Sequence, residues 1–286
     1  MIRLIACDMD GTLMDENHEL PPESYQIIHD LWTEGVRFCV SSGRPYPFLA
    51  DLFAPVKDEM DFVCSNGAHV VVEGKTLDRE LFSYGGLMKL KRFCDNFDCM
   101  HLTVTGSHGD EYLLDDDPAK ADRFYDYVKE WGDFHPPAIT PPPTLNILTA
   151  SVLIANDHSA MDMAYILNME MGDIFFFAPT DGQSIDFMPA HVNKATGIKQ
   201  VMEHYDVWRE ETMAYGDSMN DYDIFRLVGH PVAMQNALYA LRQVAERIIE
   251  PNYERGVQKD MLRLLADLRA GGDGLSLPDF REVYGF

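Results

Sequence analysis

Ile2-Arg3-Leu4-Ile5-Ala6-Cys7-Asp8-Met9-Asp10-Gly11-Thr12-Leu13 joins an apolar run to two carboxylates and a glycine turn. Ile2, Leu4, Ile5 and Ala6, interrupted only by Arg3, read as a short buried strand. The carboxylates follow its C-terminal end, the edge at which open parallel sheets bind ligands. Side chains two positions apart on extended backbone point the same way, so Asp8 and Asp10 are expected to face one site. One would serve as nucleophile or metal ligand and the other as proton carrier. Gly11 lets the chain turn away. Taken alone, an Asp-x-Asp is most simply an acidic turn after a strand, and three further segments decide the matter.

The first is Ser41-Ser42-Gly43-Arg44-Pro45, which ends a second strand-like run, Val36 to Val40, ahead of a helix that Pro45 starts. Between the two runs, Tyr25, Ile28, Leu31 and Trp32 fall at helical spacing, with Gly35 as the stop. A serine hydroxyl and helix-start amides together can hold phosphate oxygens, although the same five residues also make an ordinary turn. The second is Lys194, in the first turn of a helix opened by Val192-Asn193, where the helix dipole disfavours a cation. The third is Gly216-Asp217-Ser218-Met219-Asn220-Asp221, at the end of the strand-like Thr212 to Tyr215. Asp217, Asn220 and Asp221 offer the hard oxygen donors that Mg²⁺ requires, or their supports; helix capping by Ser218 or Asn220 is the plainer alternative.

Phe62 to Cys64 reads as a third strand, and Asn66-Gly67, Val70 to Val72 and Glu73-Gly74 lead out of the sheet through a hairpin. From Ser83 to Met188, helical and strand-like segments alternate as a second α/β module without further paired carboxylates at strand ends. Pro136 to Pro143 reads as a rigid surface connection, and Asp115-Asp116-Asp117 before Pro118 as a solvated turn and helix cap. Short strands at His230 to Ala233 and Arg247 to Ile249 and a closing helix from Gly256 to Leu268 complete the pattern. The tail, residues 271–286, is given no role.

At 286 residues the chain exceeds a usual single domain, and 46% apolar residues suffice for a large core. No run is long enough to cross a bilayer, and the N terminus leads straight into a strand, so a soluble, cytoplasmic protein is expected. Five cysteines without a Cys-x-x-Cys pair argue against a disulfide framework or zinc knuckle. A formal charge of −24 argues against nucleic acid or an anionic membrane as partner. Such a field also repels phosphates, so a phosphate site must carry its own positive charge.

Asp-x-Asp-Gly-Thr-Leu, Ser-Gly-Arg, Lys194 and Gly-Asp-x-x-Asn-Asp, in this order, resemble the motifs of the haloacid dehalogenase superfamily of phosphotransferases. The resemblance covers nearly the whole chain. The inserted module, together with Asn193-Lys194, Val232 to Ala237 and Asn252 to Val257, is similar to the large-capped Cof-type sugar-phosphatase branch. His191 and Gln235 depart from that branch, which often has glycine at both places. The resemblance implies an α/β fold: a doubly wound, Rossmann-like parallel sheet core from residues 1–82 and 190–286, with an inserted α/β cap, 83–189.

It also implies a Mg²⁺-dependent phosphomonoester hydrolase that works through an aspartyl-phosphate on sugar phosphates or similar small phosphorylated metabolites. Asp8 would attack phosphorus, and Asp10 would protonate the leaving oxygen and then activate water. Mg²⁺ would be held by Asp8, the main-chain carbonyl of Asp10, and Asp217. Ser42, Gly43 and Lys194 would hold phosphoryl oxygens, with Ser41 the alternative to Ser42; Asn220 joins them in a positioning role, and Asp221 supports. A phosphomutase of the same superfamily, a signalling receiver and a non-turnover binding protein are the rival readings. Neither the substrate nor the oligomeric state is fixed. Arg92, His101, His108, Tyr112, Arg123 and Asp181 are polar candidates in the cap.

Overall fold

In the computed structural model, which describes residues 1–106, 110–129, 135–140, 142, 144, 146–155, 159–179 and 183–281, the opening apolar run is strand β1 (Leu4–Cys7), buried throughout. A strand without polar alternation needs cover on both faces, which places it inside a sheet. The chain continues through α1 (Glu23–Thr33), β2 (Arg37–Ser41), α2 (Tyr46–Leu52), β3 (Met60–Cys64), β4 (His69–Val72) and β5 (Lys75–Arg79). Gly35, at φ +81°, follows α1 in the left-handed conformation that glycine adopts freely. The buried face of α1 is Ile27, Ile28 and Leu31, whereas Trp32 is 43% exposed. The expected stripe is therefore rotated by about one residue.

The middle of the chain forms α3 (Tyr84–Cys94), β6 (Met100–Gly106), β7 (Glu111–Leu114), α4 (Pro118–Val128), β8 (Ala138–Ile139), β9 (Ile147–Ile154), α5 (Ala160–Met171), β10 (Phe175–Pro179) and β11 (Ser184–Pro189). Its sheet has the order β10-β11-β9-β6-β7-β8, antiparallel except for the β7–β8 pair. The proline-rich connection thus contributes a two-residue strand, which sequence alone did not suggest. Asp117 caps α4 by accepting from the Ala119 amide, as the turn-and-cap reading expects.

The chain returns through α6 (Lys194–His204), β12 (Thr212–Gly216), α7 (Tyr222–Leu227), β13 (His230–Met234), α8 (Tyr239–Val244), β14 (Arg247–Ile249) and α9 (Gly256–Arg269). The first sheet has the order β14-β13-β12-β1-β2-β3-β4-β5. Its strands from β14 to β3 are parallel, and β4 runs antiparallel to β3. From β1 the chain steps to β2 and β3 on one side, and it comes back to β12 on the other. The C-terminal ends of β1 and β12 therefore flank a topological switch point, where doubly wound sheets bind ligands.

The tail closes the β14 edge. Phe280 N donates to Ile248 O at 2.9 Å, Ile248 N donates to Asp279 Oδ1, and the Arg263 guanidinium lies 5.0 Å from the Phe280 ring centre. Covering an edge strand in this way removes a template for unwanted pairing.

Contacts divide the chain into one compact unit of residues 1–78 and 193–286 and another of residues 79–192. Phe82 belongs with the second unit because its ring packs against Phe175 and Phe187 at 5.5 and 5.2 Å. Among the described residues no helix is long and apolar enough to cross a membrane.

Candidate active site

Asp8 leaves the end of β1 with its amide bonded to Tyr215 O of β12, so the switch point itself sets its position. Its Oδ1 accepts from Lys194 Nζ at 2.6 Å, and the same ammonium donates to Asp221 Oδ1 at 2.7 Å. Lys194 is brought there by the N terminus of α6. Asn193 caps the helix by accepting from Thr196 N, and Thr196 Oγ1 accepts from Asn193 N in return. Gly67, at φ +103°, makes the approach possible: a Cβ there would stand 2.0 Å from Asn193 O.

Asp221 has both oxygens occupied, Oδ1 by Lys194 and Oδ2 by the amides of Asp217 and Ser218. It braces the loop after β12. Asp217 accepts from Thr12 Oγ1 at 3.0 Å, and Gly11 clears space for it: at φ +77°, a Cβ on Gly11 would meet Asp217 Oδ2 at 2.5 Å. Asp8, Asp217 and Asp221 each bring a carboxylate oxygen to within 4.8 Å of the others. Burial, then the charge of Asp221, pushes Asp8 well above the carboxylate range, against the pull of Lys194. The same two causes raise Asp217 to about 6. Burial works against the charge on Lys194, but Asp221 and Asp8 outweigh it and hold the ammonium above its ordinary range. Three crowded carboxylates facing one ammonium are a donor set that suits a hard divalent cation.

Asp10 is held elsewhere. After Asp8 the chain makes a wide turn, closed by Met14 N donating to Met9 O; Asp8 and Asp10 each keep extended backbone, at ψ 164° and 126°, but their carboxylates take different partners. The Asp10 carboxylate takes two bonds from the Arg44 guanidinium, at 2.9 and 2.5 Å, and one contact from His18 Nδ1 at 3.2 Å. Burial raises its pKa, but the bonds and charge of Arg44 and then His18 outweigh that, so the group sits below the usual range.

Ser42 is buried, and its Oγ accepts from the Arg44 amide at 3.1 Å, which leaves its own O–H free to donate. Among the described residues, Ser41 Oγ is buried without a partner. Gly43 lies against Asn66, whose amide donates to Ser42 O at 2.9 Å and whose Oδ1 faces Asn220 Nδ2 at 3.5 Å. Asn220 Oδ1 in turn accepts from Ser218 Oγ at 2.6 Å. Asn66 therefore links the loop after β2 to the loop after β12.

Thr12, His18, Arg44 and Asn66 were not singled out from sequence as site residues. Thr12 and Arg44 stand inside the motifs themselves, but their partners, Asp217 and Asp10, are remote in the chain. Of the polar candidates in the second unit, Arg123 pairs with Asp98 at 3.0 Å, and His101 is buried against Phe124 with neither ring nitrogen bonded among the described residues. Tyr112 is half-buried, Arg92 is exposed, and His108 and Asp181 lie outside the described residues.

The sequence profile of the haloacid dehalogenase-like hydrolases matches residues 5–261. The 5-amino-6-(5-phospho-D-ribitylamino)uracil phosphatase YbjI of Escherichia coli K12 is 27% identical over 264 residues, 90% of this chain and 93% of that protein. SMU.1108c of Streptococcus mutans UA159 superposes with a TM-score of 0.78 at 20% identity, covering 93% of this chain and all of that one. BT1666 of Bacteroides thetaiotaomicron, a phosphatase of the haloalkanoate (HAD) superfamily, gives 0.76 at 20% identity over 92% of this chain and 95% of its own. At such identities the structural likeness shows the shared fold.

Proposed function

Since the chain belongs to the haloacid dehalogenase-like hydrolases and is a phosphatase, as its full-length relatives are, we propose that it hydrolyses small phosphorylated metabolites, sugar phosphates among them, through an aspartyl-phosphate on Asp8. The observation that carries this reading is the Lys194 ammonium bridging Asp8 and Asp221 at the switch point, with Asp217 alongside.

A carboxylate oxygen of Asp8 attacks phosphorus, and the bond to the leaving oxygen breaks. Asp10 delivers a proton to that oxygen, then takes one from the water that cleaves the acyl phosphate, so it ends as it began. Lys194 and the Ser42 hydroxyl hold the phosphoryl oxygens, with the Gly43 amide beside them, and Asn220 positions. Asp221 keeps Lys194 and the Asp217 loop in place. Mg²⁺ held by the carboxylates of Asp8 and Asp217 and the carbonyl of Asp10 would offset the negative field that a phosphate must enter.

The pairing of Asp10 with Arg44 sets a condition on this chemistry. A carboxylate held below its usual range is ionised, so it is free to accept a proton, although as a weaker base, and has none to donate. Donation therefore requires Arg44 to loosen its hold, and an arriving phosphoryl group competes for the same guanidinium. The domain division that accompanies this reading assigns catalysis to the first unit and leaves residues 83–189 as an inserted cap.

Phosphoenzyme trapping tests the proposal. Asp10→Asn, given a labelled aryl phosphate whose leaving group needs little protonation, should accumulate an acid-stable phosphoprotein, and Asp8→Asn should accumulate none. Label on a histidine or serine, or normal turnover by Asp8→Asn, would sink the mechanism.

A further inference from the structure

The turn that carries Asp10 away from Asp8, residues 9–14, does not satisfy its own main chain as a regular helix would. Asp10 and Gly11 depart from helical dihedral angles, and the bond that closes the turn runs from Met14 N to Met9 O. Carbonyls left over by such a turn, beside a buried core, need donors from elsewhere. Side-chain amides supply them. Asn236 Nδ2 donates to Gly11 O at 2.8 Å, Gln258 Nε2 to Leu13 O at 2.9 Å, and Asn252 Nδ2 to Met14 O at 3.0 Å. The donors lie 225 to 245 residues further along the chain. They stand in or next to Val232 to Ala237 and Asn252 to Val257, two stretches to which the catalytic scheme gives no task.

The amides are themselves held. Asn252 N donates to Asn236 Oδ1 at 3.1 Å, which orients the Asn236 amide with its nitrogen toward Gly11 O. Gln258 is buried and also donates to Ser24 Oγ of α1 at 3.0 Å. The loop after β13 reaches the other wall of the site as well, since Leu238 N donates to Asp217 O at 2.8 Å. Residues 236–238 therefore tie the main chain beside Asp10 to the main chain of Asp217.

Asp8 is positioned independently of this brace, by Tyr215 O at its amide and Lys194 at its carboxylate. The Asp10 carboxylate is gripped by Arg44 and His18, whereas its main chain is set by the turn. Once a phosphoryl group competes for Arg44, the turn is what keeps Asp10 aimed. Two aspartates two residues apart thus owe their placement to separate parts of the chain.

We infer that Asn236, Asn252 and Gln258 are positioning residues for the second half of the reaction, holding Asp10 where it takes a proton from water. The inference rests on the aspartyl-phosphate mechanism above. In that step the water oxygen bonds to phosphorus, its proton passes to Asp10, and the bond between phosphorus and the Asp8 oxygen breaks, which restores the Asp8 carboxylate and frees phosphate.

Rapid quench with a labelled aryl phosphate separates phosphorylation from dephosphorylation and tests the assignment. Asn236 is exposed, which favours a folded variant. Asn236→Asp keeps the acceptor for Asn252 N and removes the donor to Gly11 O; Asn236→Ala removes the donor without adding charge. Both should slow dephosphorylation about tenfold and phosphorylation by less than about twofold, so that phosphoenzyme accumulates above the wild-type level. Gln258→Met should show the same imbalance, and the Asn236 variants decide if it does not fold. A merely structural role would lower both steps together and leave their ratio unchanged. An unchanged ratio in Asn236→Asp and Asn236→Ala overturns the inference. Asp10→Asn, run alongside, tells the two failures apart. Phosphoenzyme in Asp10→Asn without accumulation in the amide variants removes the brace and keeps the mechanism. No phosphoenzyme in any variant removes the mechanism and, with it, the catalytic role of the brace.

Discussion

Asp8, Asp217 and Asp221 in the first unit, and Asp95, Asp115 and Asp116 in the second, each bring three carboxylate oxygens within 4.8 Å of one another, and each trio is paired with lysine. Their surroundings differ. In the first trio Lys194 and Asp221 are 1% exposed, and the partners come from opposite ends of the chain. In the second, Asp95 and Asp116 are 38% and 58% exposed, Lys91 reaches Asp95 one helical turn away at 2.8 Å, and Lys120 approaches the same aspartate at 3.7 Å. Water screens Asp95 and Asp116, so their charges tolerate crowding; only Asp115 is buried, and burial raises its pKa. Burial denies the first trio that screening, and Asp8 and Asp217 are driven upward in pKa. Composition is shared; the clusters differ in how many of their carboxylates are open to water.

Metal removal distinguishes the two clusters most strongly. Excess chelator is expected to abolish phosphate release, and added Mg²⁺ to restore it. Mg²⁺ should also raise Tm, an effect lost in Asp217→Asn and retained in Asp116→Asn. Retention in Asp217→Asn with loss in Asp116→Asn would invert the two assignments.

Next in size is Lys194→Met. It removes a donor from the phosphoryl oxygens, for which a loss of about 10²–10³ in kcat is expected, and it strands two buried carboxylates at about 3–5 kcal/mol of stability. Steady-state kinetics and urea unfolding measure both; unchanged turnover would reduce Lys194 to a structural ion.

Arg44→Gln should act more mildly, at about tenfold in kcat/KM, but with a distinctive pH signature. Arg44 and His18 together hold Asp10 below its usual range. Without the guanidinium the group titrates at higher pH, so the limb of the rate profile that reports Asp10 moves up. A limb that stays in place would show that Asp10 does not govern it.

Lys91→Met is the smallest effect. With both partners substantially exposed, it should change stability by no more than about 1 kcal/mol and leave turnover unaltered. A loss as large as that of Lys194→Met would erase the distinction between the clusters.

The candidate site was legible wherever chemistry and backbone are encoded side by side. Asp8 and Asp217 each follow an apolar strand run, and Lys194 was conspicuous as a cation at a helix start; it is buried between Asp8 and Asp221. The partnership of Arg44 with Asp10, 34 residues earlier, left no such mark. Neither did the link from Asn66 to Asn220 or the bond from Thr12 to Asp217. The two-residue strand β8 escaped because prolines argue against strands, yet a pairing this short at a sheet edge tolerates them.

The alternation of buried runs and turns, and with it the two α/β modules, could be read along the chain because burial period and turn chemistry are properties of contiguous residues. Which charges meet is a property of the folded chain alone. The return of the chain at residue 193 and the pairing of β12 beside β1 bring Lys194, Asp217 and Asp221 to Asp8. The turn after Asp8 delivers Asp10 to Arg44 instead. These meetings depend on strand order and on the close approaches allowed at Gly11 and Gly67, and distance and desolvation, which set the strength of a charge, exist only once the chain has folded.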